Sequence, residues 1–222
     1  MNSWADRAAE RSPIVQRSRL RSVQQAKVIV DAARRLIQIK GDDGFTTQEL
    51  VKEAGVALQT FYRHFGSKDQ LLLAVVEDLV TEEAARLEAA ARPLSDPVAR
   101  LHFYLTSVLG LLNTEEGRVG ARFTTAEHWR LHQHYPDEMA EANQPFADLV
   151  ERALREAAAA GLLHPTDPAQ DAWFIMKLVV SVFHHYAFAT APERVEDIAE
   201  HLWAFCLAAV GGASDSAPRA AR

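Results

Sequence analysis

The chain has 222 residues, 48% of them hydrophobic and 24% charged, globular proportions that exclude a mostly disordered polypeptide. Its single cysteine, Cys206, excludes an intrachain disulfide framework and fits a reducing compartment. The longest apolar runs, such as 71–76, fall far short of the roughly 18 residues of a membrane span, and no apolar segment follows the N-terminal arginines as in a secretory signal. A cytoplasmic protein with one large domain or two modest ones is expected. Charge is uneven: residues 1–70 carry 12 Lys/Arg against 8 Asp/Glu, whereas residues 71–222 carry 12 against 22. A basic end on an acidic body suits contact with a polyanion at that end alone.

Val23, Ala26, Val30, Ala33 and Ile37 recur at spacings of three and four, which predicts a helix over 22–40, ended by the turn residues Gly41, Asp42, Asp43 and Gly44. Thr46 or Thr47 is suited to cap a short helix over 48–54, closed by Gly55 at a positive φ. Another short helix follows over 58–65. Gly66-Ser67 breaks it, and Ser67 caps a long helix from 68 to about 91. Asp96 and Pro97 open a helix to about 113. Further helices are predicted over 118–134, 137–160 with Pro145 as a candidate kink, 168–189 and 192–210. No stretch has a convincing period of two, so the chain is expected to be all-α, with flexible segments at 1–21 and 211–222.

The stretch 46–65 carries the functional signal. Two short helices joined through Gly55, with Leu50, Val56 and Phe61 turned into their shared angle, describe a helix-turn-helix. The second helix projects Leu58, Gln59, Thr60 and Arg63 away from that angle, and a helix of this size fits the DNA major groove, about 12 Å wide. Around it stand donors suited to phosphate: Thr47, Tyr62, His64 and Lys68. Phe61 and Phe65 read as core, and Tyr62 is divided between packing and phosphate contact. Arg7, Arg11, Arg17, Arg19 and Arg21 precede the first predicted helix, either as a solvated tail or as an arm along the DNA backbone or minor groove.

This stretch resembles the tetracycline-repressor-type (TetR/AcrR) bacterial transcription regulators. The resemblance rests on residues 29–33, Thr47, Ala54-Gly55-Val56, 60–65 and Ser67-Lys68, and covers about 22–72. Ala57 departs from it, standing where the family has a capping serine; Val51 replaces an alanine at the helix crossing, and the glycines of 41–45 are atypically placed. The resemblance implies an N-terminal three-helix DNA-binding domain over 22–67 and a C-terminal helical ligand-binding and dimerisation domain over 68–210. It implies a DNA-binding regulator, most members being repressors, that holds a palindromic operator as a dimer. Thr47, Tyr62, His64 and Lys68 then correspond to phosphate anchors, with Leu58, Gln59, Thr60 and Arg63 near base edges.

A dimer is also legible in the residues themselves. From Ala172 to Phe183 only Lys177 and Ser181 are polar, and a helix apolar nearly all round is buried on more than one side. The last helix offers Ile198, Leu202, Phe205 and Ala209 on one face and Trp203, Leu207 and Val210 on another. Trp173, Val180, His184, Ile198, Leu202 and Phe205 are the expected interface. The resemblance further implies a small-molecule effector between the middle helices. Phe103, Tyr104, Ser107, Phe123, Trp129, Phe146, Trp173, Met176 and Phe183 are candidate lining for an apolar or aromatic one, beside their plain reading as core.

His128 and His132 have metal-ligand spacing, but no third ligand converges in the sequence, so no metal and no cofactor are expected. His184-His185 lies on the expected dimer helix, where a pH effect on pairing is the alternative to the expected packed or solvated histidine. No Gly-rich phosphate loop, Gly-x-Ser-x-Gly elbow, His-Glu-x-x-His or activated cysteine is found, so an enzyme is not expected. The rival reading is a helical small-molecule-binding bundle that lacks operator recognition.

Overall fold

The computed structural model describes residues 13–189 and 194–212, and every regular element among them is helical. The helices are α1 (Pro13–Lys40), α2 (Thr47–Ala54), α3 (Leu58–His64), α4 (Lys68–Ala91), α5 (Pro97–Gly110), α6 (Glu115–His134), α7 (Pro136–Ala159), α8 (Pro168–Phe188) and α9 (Val195–Ala209), with a 3-10 turn over Leu111–Asn113 after α5. They form two compact units, Met1–Val75 and Val76–Arg222. The division falls inside α4, not at the expected 67/68, because Leu71, Leu72 and Val75 are fully buried with the first unit.

Short polar signals set the helix ends of the first unit. Thr46, not Thr47, caps α2: its Oγ1 accepts the Glu49 N–H at 3.1 Å, and Glu49 Oε2 accepts the Thr46 N–H at 2.7 Å. Gly55 closes α2 at φ +64°, with Gly55 N donating to Lys52 O and Val56 N to Val51 O. Ser67 caps α4 by accepting the Gln70 N–H at 3.2 Å. The core of this unit is Ile29, Ala32, Ala33, Phe45, Leu50 and Phe61, with Phe65 beside them. Full burial of each large apolar side chain contributes about 1.5–3 kcal/mol.

The arm expected over 1–21 is corrected in part: residues 13–21 are the opening turns of α1. The rest of that segment, with Arg7 and Arg11, lies outside the described residues, as does the C-terminal tail from 213. In the second unit α5 packs on α7, α8 and α9, and α8 also packs on α6 and α7. Leu87, Leu101, Leu105, Val150, Leu154 and Val179 fill its centre. Asp96 caps α5 as expected and Asp167 caps α8, whereas α6 starts three residues early on a Thr114 cap. Pro145 is accommodated within a continuous α7. Among the described residues, no helix is long and apolar enough to cross a membrane.

Candidate nucleic-acid interface

Leu50 and Phe61 are almost wholly buried in the angle between α2 and α3, and Val56 is half-buried there. That fixes the rotation of α3, because residues on its opposite side must then face outward. Gln59 and Arg63 are exposed, Leu58 is 43% and Tyr62 55% exposed, and Thr60 is half-buried. The Tyr62 ring meets Phe61 edge-on at 5.0 Å, so its body packs while its outer part stays in water. Ala57 supplies no side-chain cap, leaving the α3 N-terminus without the bond a serine would make.

Intramolecular contacts hold several of the candidate residues. Arg63 Nη2 donates to Gln25 Oε1 at 3.0 Å, and His64 Nε2 lies 3.4 Å from the same oxygen. Lys68 Nζ pairs with Asp43 Oδ2 at 3.0 Å, donates to the Asp43 carbonyl, and sits 4.7 Å above the Phe45 ring. Lys68 is therefore a staple between the α1–α2 loop and the start of α4. Its ammonium must share itself with Asp43 or leave it to meet a phosphate. Thr47, the first residue of α2, is half-buried.

Two further ties set the helix angles. Arg35 Nε reaches Glu53 Oε1 at 2.7 Å, and Lys40 Nζ reaches Glu49 Oε1 at 2.9 Å. The Thr46 backbone bond, then the Lys40 and Thr46 side chains, hold the exposed Glu49 carboxyl down at about 2. Sequence reasoning missed Gln25, Asp43, Arg35 and Glu53, whose partners lie 18 or more residues away; Thr46-x-x-Glu49 was visible as a capping-box spacing.

The second unit sorts the candidate effector residues. Tyr104, Phe146 and Met176 are buried in its main core, with Phe103 and Phe183 packed against that core. Phe123 is buried, and Ser107 is half-buried. Trp129 and Trp173 are corrections: at 67% and 54% exposed they face solvent and line no interior of this subunit. Of the expected interface, Trp173 and Phe205 are exposed, while Val180, His184 and Ile198 are half-buried. Leu202 is a further correction, since it turns inward and is only 6% exposed. Phe174 and Phe188, not singled out from the sequence, are exposed by 55% and 56%.

His128, His132 and His184 cluster between α6 and α8. The His128 ring stacks on His132 at 5.8 Å and meets His184 edge-on at 4.7 Å. Burial, then the neighbouring His128, pushes His184 down to about 4. Burial also lowers His128, with His132 and Lys177 adding to the effect. Among the described residues, no group of three or more His, Cys, Asp or Glu side chains is placed to hold a metal ion. Cys206 is a core residue whose thiol is pushed up to about 11 by burial.

Residues 29–75 match the model of "Bacterial regulatory proteins, tetR family", the segment that holds α2, α3 and the staple at Lys68. That segment is of the tetR family. It is 31% identical over 136 residues to an HTH-type transcriptional regulator of Haemophilus influenzae, a match covering 55% of this chain and 66% of that protein. With BetI of Rhizobium meliloti it shares 38% over 71 residues, 30% of this chain and 35% of BetI. The chain thus matches just under two thirds of the first relative and about a third of the second. The crystal structure of RolR with resorcinol superposes with a TM-score of 0.66 at 20% identity, covering 87% of this chain and 90% of that one. That likeness extends the shared tetR-type fold through the C-terminal helical unit.

Proposed function

We propose that this chain is a cytoplasmic, ligand-responsive DNA-binding regulator, a repressor that holds a two-fold symmetric operator as a homodimer and catalyses no reaction. The observation that carries this reading is the α3 surface: Gln59 and Arg63 stand exposed on a helix whose opposite side, Phe61, is locked in the core. Gln is suited to adenine and Arg to guanine in the major groove. Thr47, Tyr62, His64 and Lys68 ring that helix as phosphate contacts, and Leu58 and Thr60 stand at the base edges. One two-turn helix reads few base pairs, so two copies are needed. The outward Trp173, Phe174, Phe188 and Phe205 support pairing through α8 and α9, as water-facing aromatic clusters mark protein interfaces.

The effector is an apolar or aromatic small molecule held among Phe103, Tyr104, Ser107, Phe146, Met176 and Phe183. RolR, of the same fold, binds the aromatic resorcinol. An effector that prefers one of two arrangements of the dimer shifts the population that fits DNA. An electrophoretic shift assay on the DNA upstream of its own gene tests the reading. Tyr62→Phe and Lys68→Ala should weaken binding to all sequences alike, whereas Gln59→Ala and Arg63→Ala should change base preference. Equal losses on every sequence for all four would contradict these roles.

A further inference from the structure

The opening turns of α1 have no core to pack on. From 15 to 28 every residue is exposed except the half-buried Ala26. Residues 13–30 carry Arg17, Arg19, Arg21 and Lys27 and no carboxylate, in a chain of formal net charge −6. Lys27 is paired with Asp31 at 3.0 Å, but Arg17, Arg19 and Arg21 have no ion-pair partner among the described residues. Arg17 and Arg21 share a face with Gln25, each four residues from the next, and Gln25 is what Arg63 and His64 of α3 hold. At 1.5 Å per residue, Arg21 lies about 6 Å and Arg17 about 12 Å along the axis from Gln25. One cationic stripe therefore runs from the end of the candidate reading helix out along α1.

We infer that the opening turns of α1 are a second DNA contact, in which Arg17 and Arg21 hold backbone phosphates flanking the base pairs that α3 reads. This rests on the DNA-binding reading above and deepens it. The partner is the phosphate backbone rather than the minor groove, because a helix about 10–12 Å across does not enter a groove about 6 Å wide. Phosphates rise about 3.4 Å along each strand, so two arginines about 6 Å apart along α1 are far enough apart to meet separate ones. The helix is already formed, so binding does not have to order these residues as it would a flexible arm.

Arg19 provides a charge-matched control, since it lies about 200° round the helix from Arg17 and from Arg21. Fluorescence anisotropy of the full-length protein on a duplex of its own upstream DNA, across a salt series, measures the contact. Arg21→Ala should raise Kd roughly tenfold at ~0.15 M salt and flatten the log–log salt slope by about 2 for a dimer. Arg19→Ala should stay within about twofold of wild type and keep the slope. The double variant Arg17→Ala/Arg21→Ala should also shorten the hydroxyl-radical footprint at its outer edges, with helix content unchanged by circular dichroism. If Arg19→Ala and Arg21→Ala behave alike, in loss or in its absence, the α1 contact is overturned while DNA binding stands. If the wild-type protein binds no duplex, both readings fall together.

Discussion

Gly55 and Ala57 sit two residues apart in the turn and place opposite demands on it. Gly55 adopts φ +64°, and a Cβ there would meet nothing within 4 Å, so the cost of Gly55→Ala is backbone strain, about 1–2 kcal/mol. Ala57 begins α3 with no side-chain cap, so Ala57→Ser should stabilise by about 1 kcal/mol and raise Tm by about 2–4 °C. Thermal melts of the two variants should move in opposite directions from wild type. The glycine and the missing cap were both legible in the sequence because each depends on its immediate neighbours. The Lys68–Asp43 staple and the Arg63–Gln25 bond were not, since their partners are brought together only by tertiary folding. Trp129 and Leu202 were misassigned for a related reason: an apolar residue on an apolar helix does not reveal which side the neighbouring helix covers.

At the scale of the element, the helix ends were best read where a cap or a glycine marks them, at Ser67, Asp96 and Gly55. The start of α1 was misplaced because the apolar stripe that betrays a helix needs a core to face, and residues 15–22 face none. α6 and α8 carry the clearest pH response. His184, facing His128 and with His132 and Lys177 close to that ring, has a folded value near 4 against 6.5 when unfolded. Between those values the unfolded chain binds the proton more readily, so this contribution to stability is whole above pH 6.5 and is lost as pH falls towards 4. Melting at pH 7 and pH 5 should show a larger acid loss for wild type than for His184→Leu. An equal loss would place the acid sensitivity elsewhere.

At the scale of the whole molecule, the proposal requires two copies. Four large aromatic side chains on α8 and α9, Trp173, Phe174, Phe188 and Phe205, are 54–63% exposed, a cost in water that pairing removes. Phe174→Asp with Phe205→Asp should leave each subunit folded and shift its sedimentation coefficient to that of a monomer, with operator affinity falling in step. The central claim, that α3 reads bases in duplicate, is tested most directly by footprinting the wild-type protein on its upstream DNA beside Gln59→Ala and Arg63→Ala. The account predicts two protected half-sites related by a dyad, centred about 34–36 Å apart, with both variants losing preference for particular bases within them. Protection of a single unrepeated stretch, or base preferences that ignore both substitutions, would contradict it.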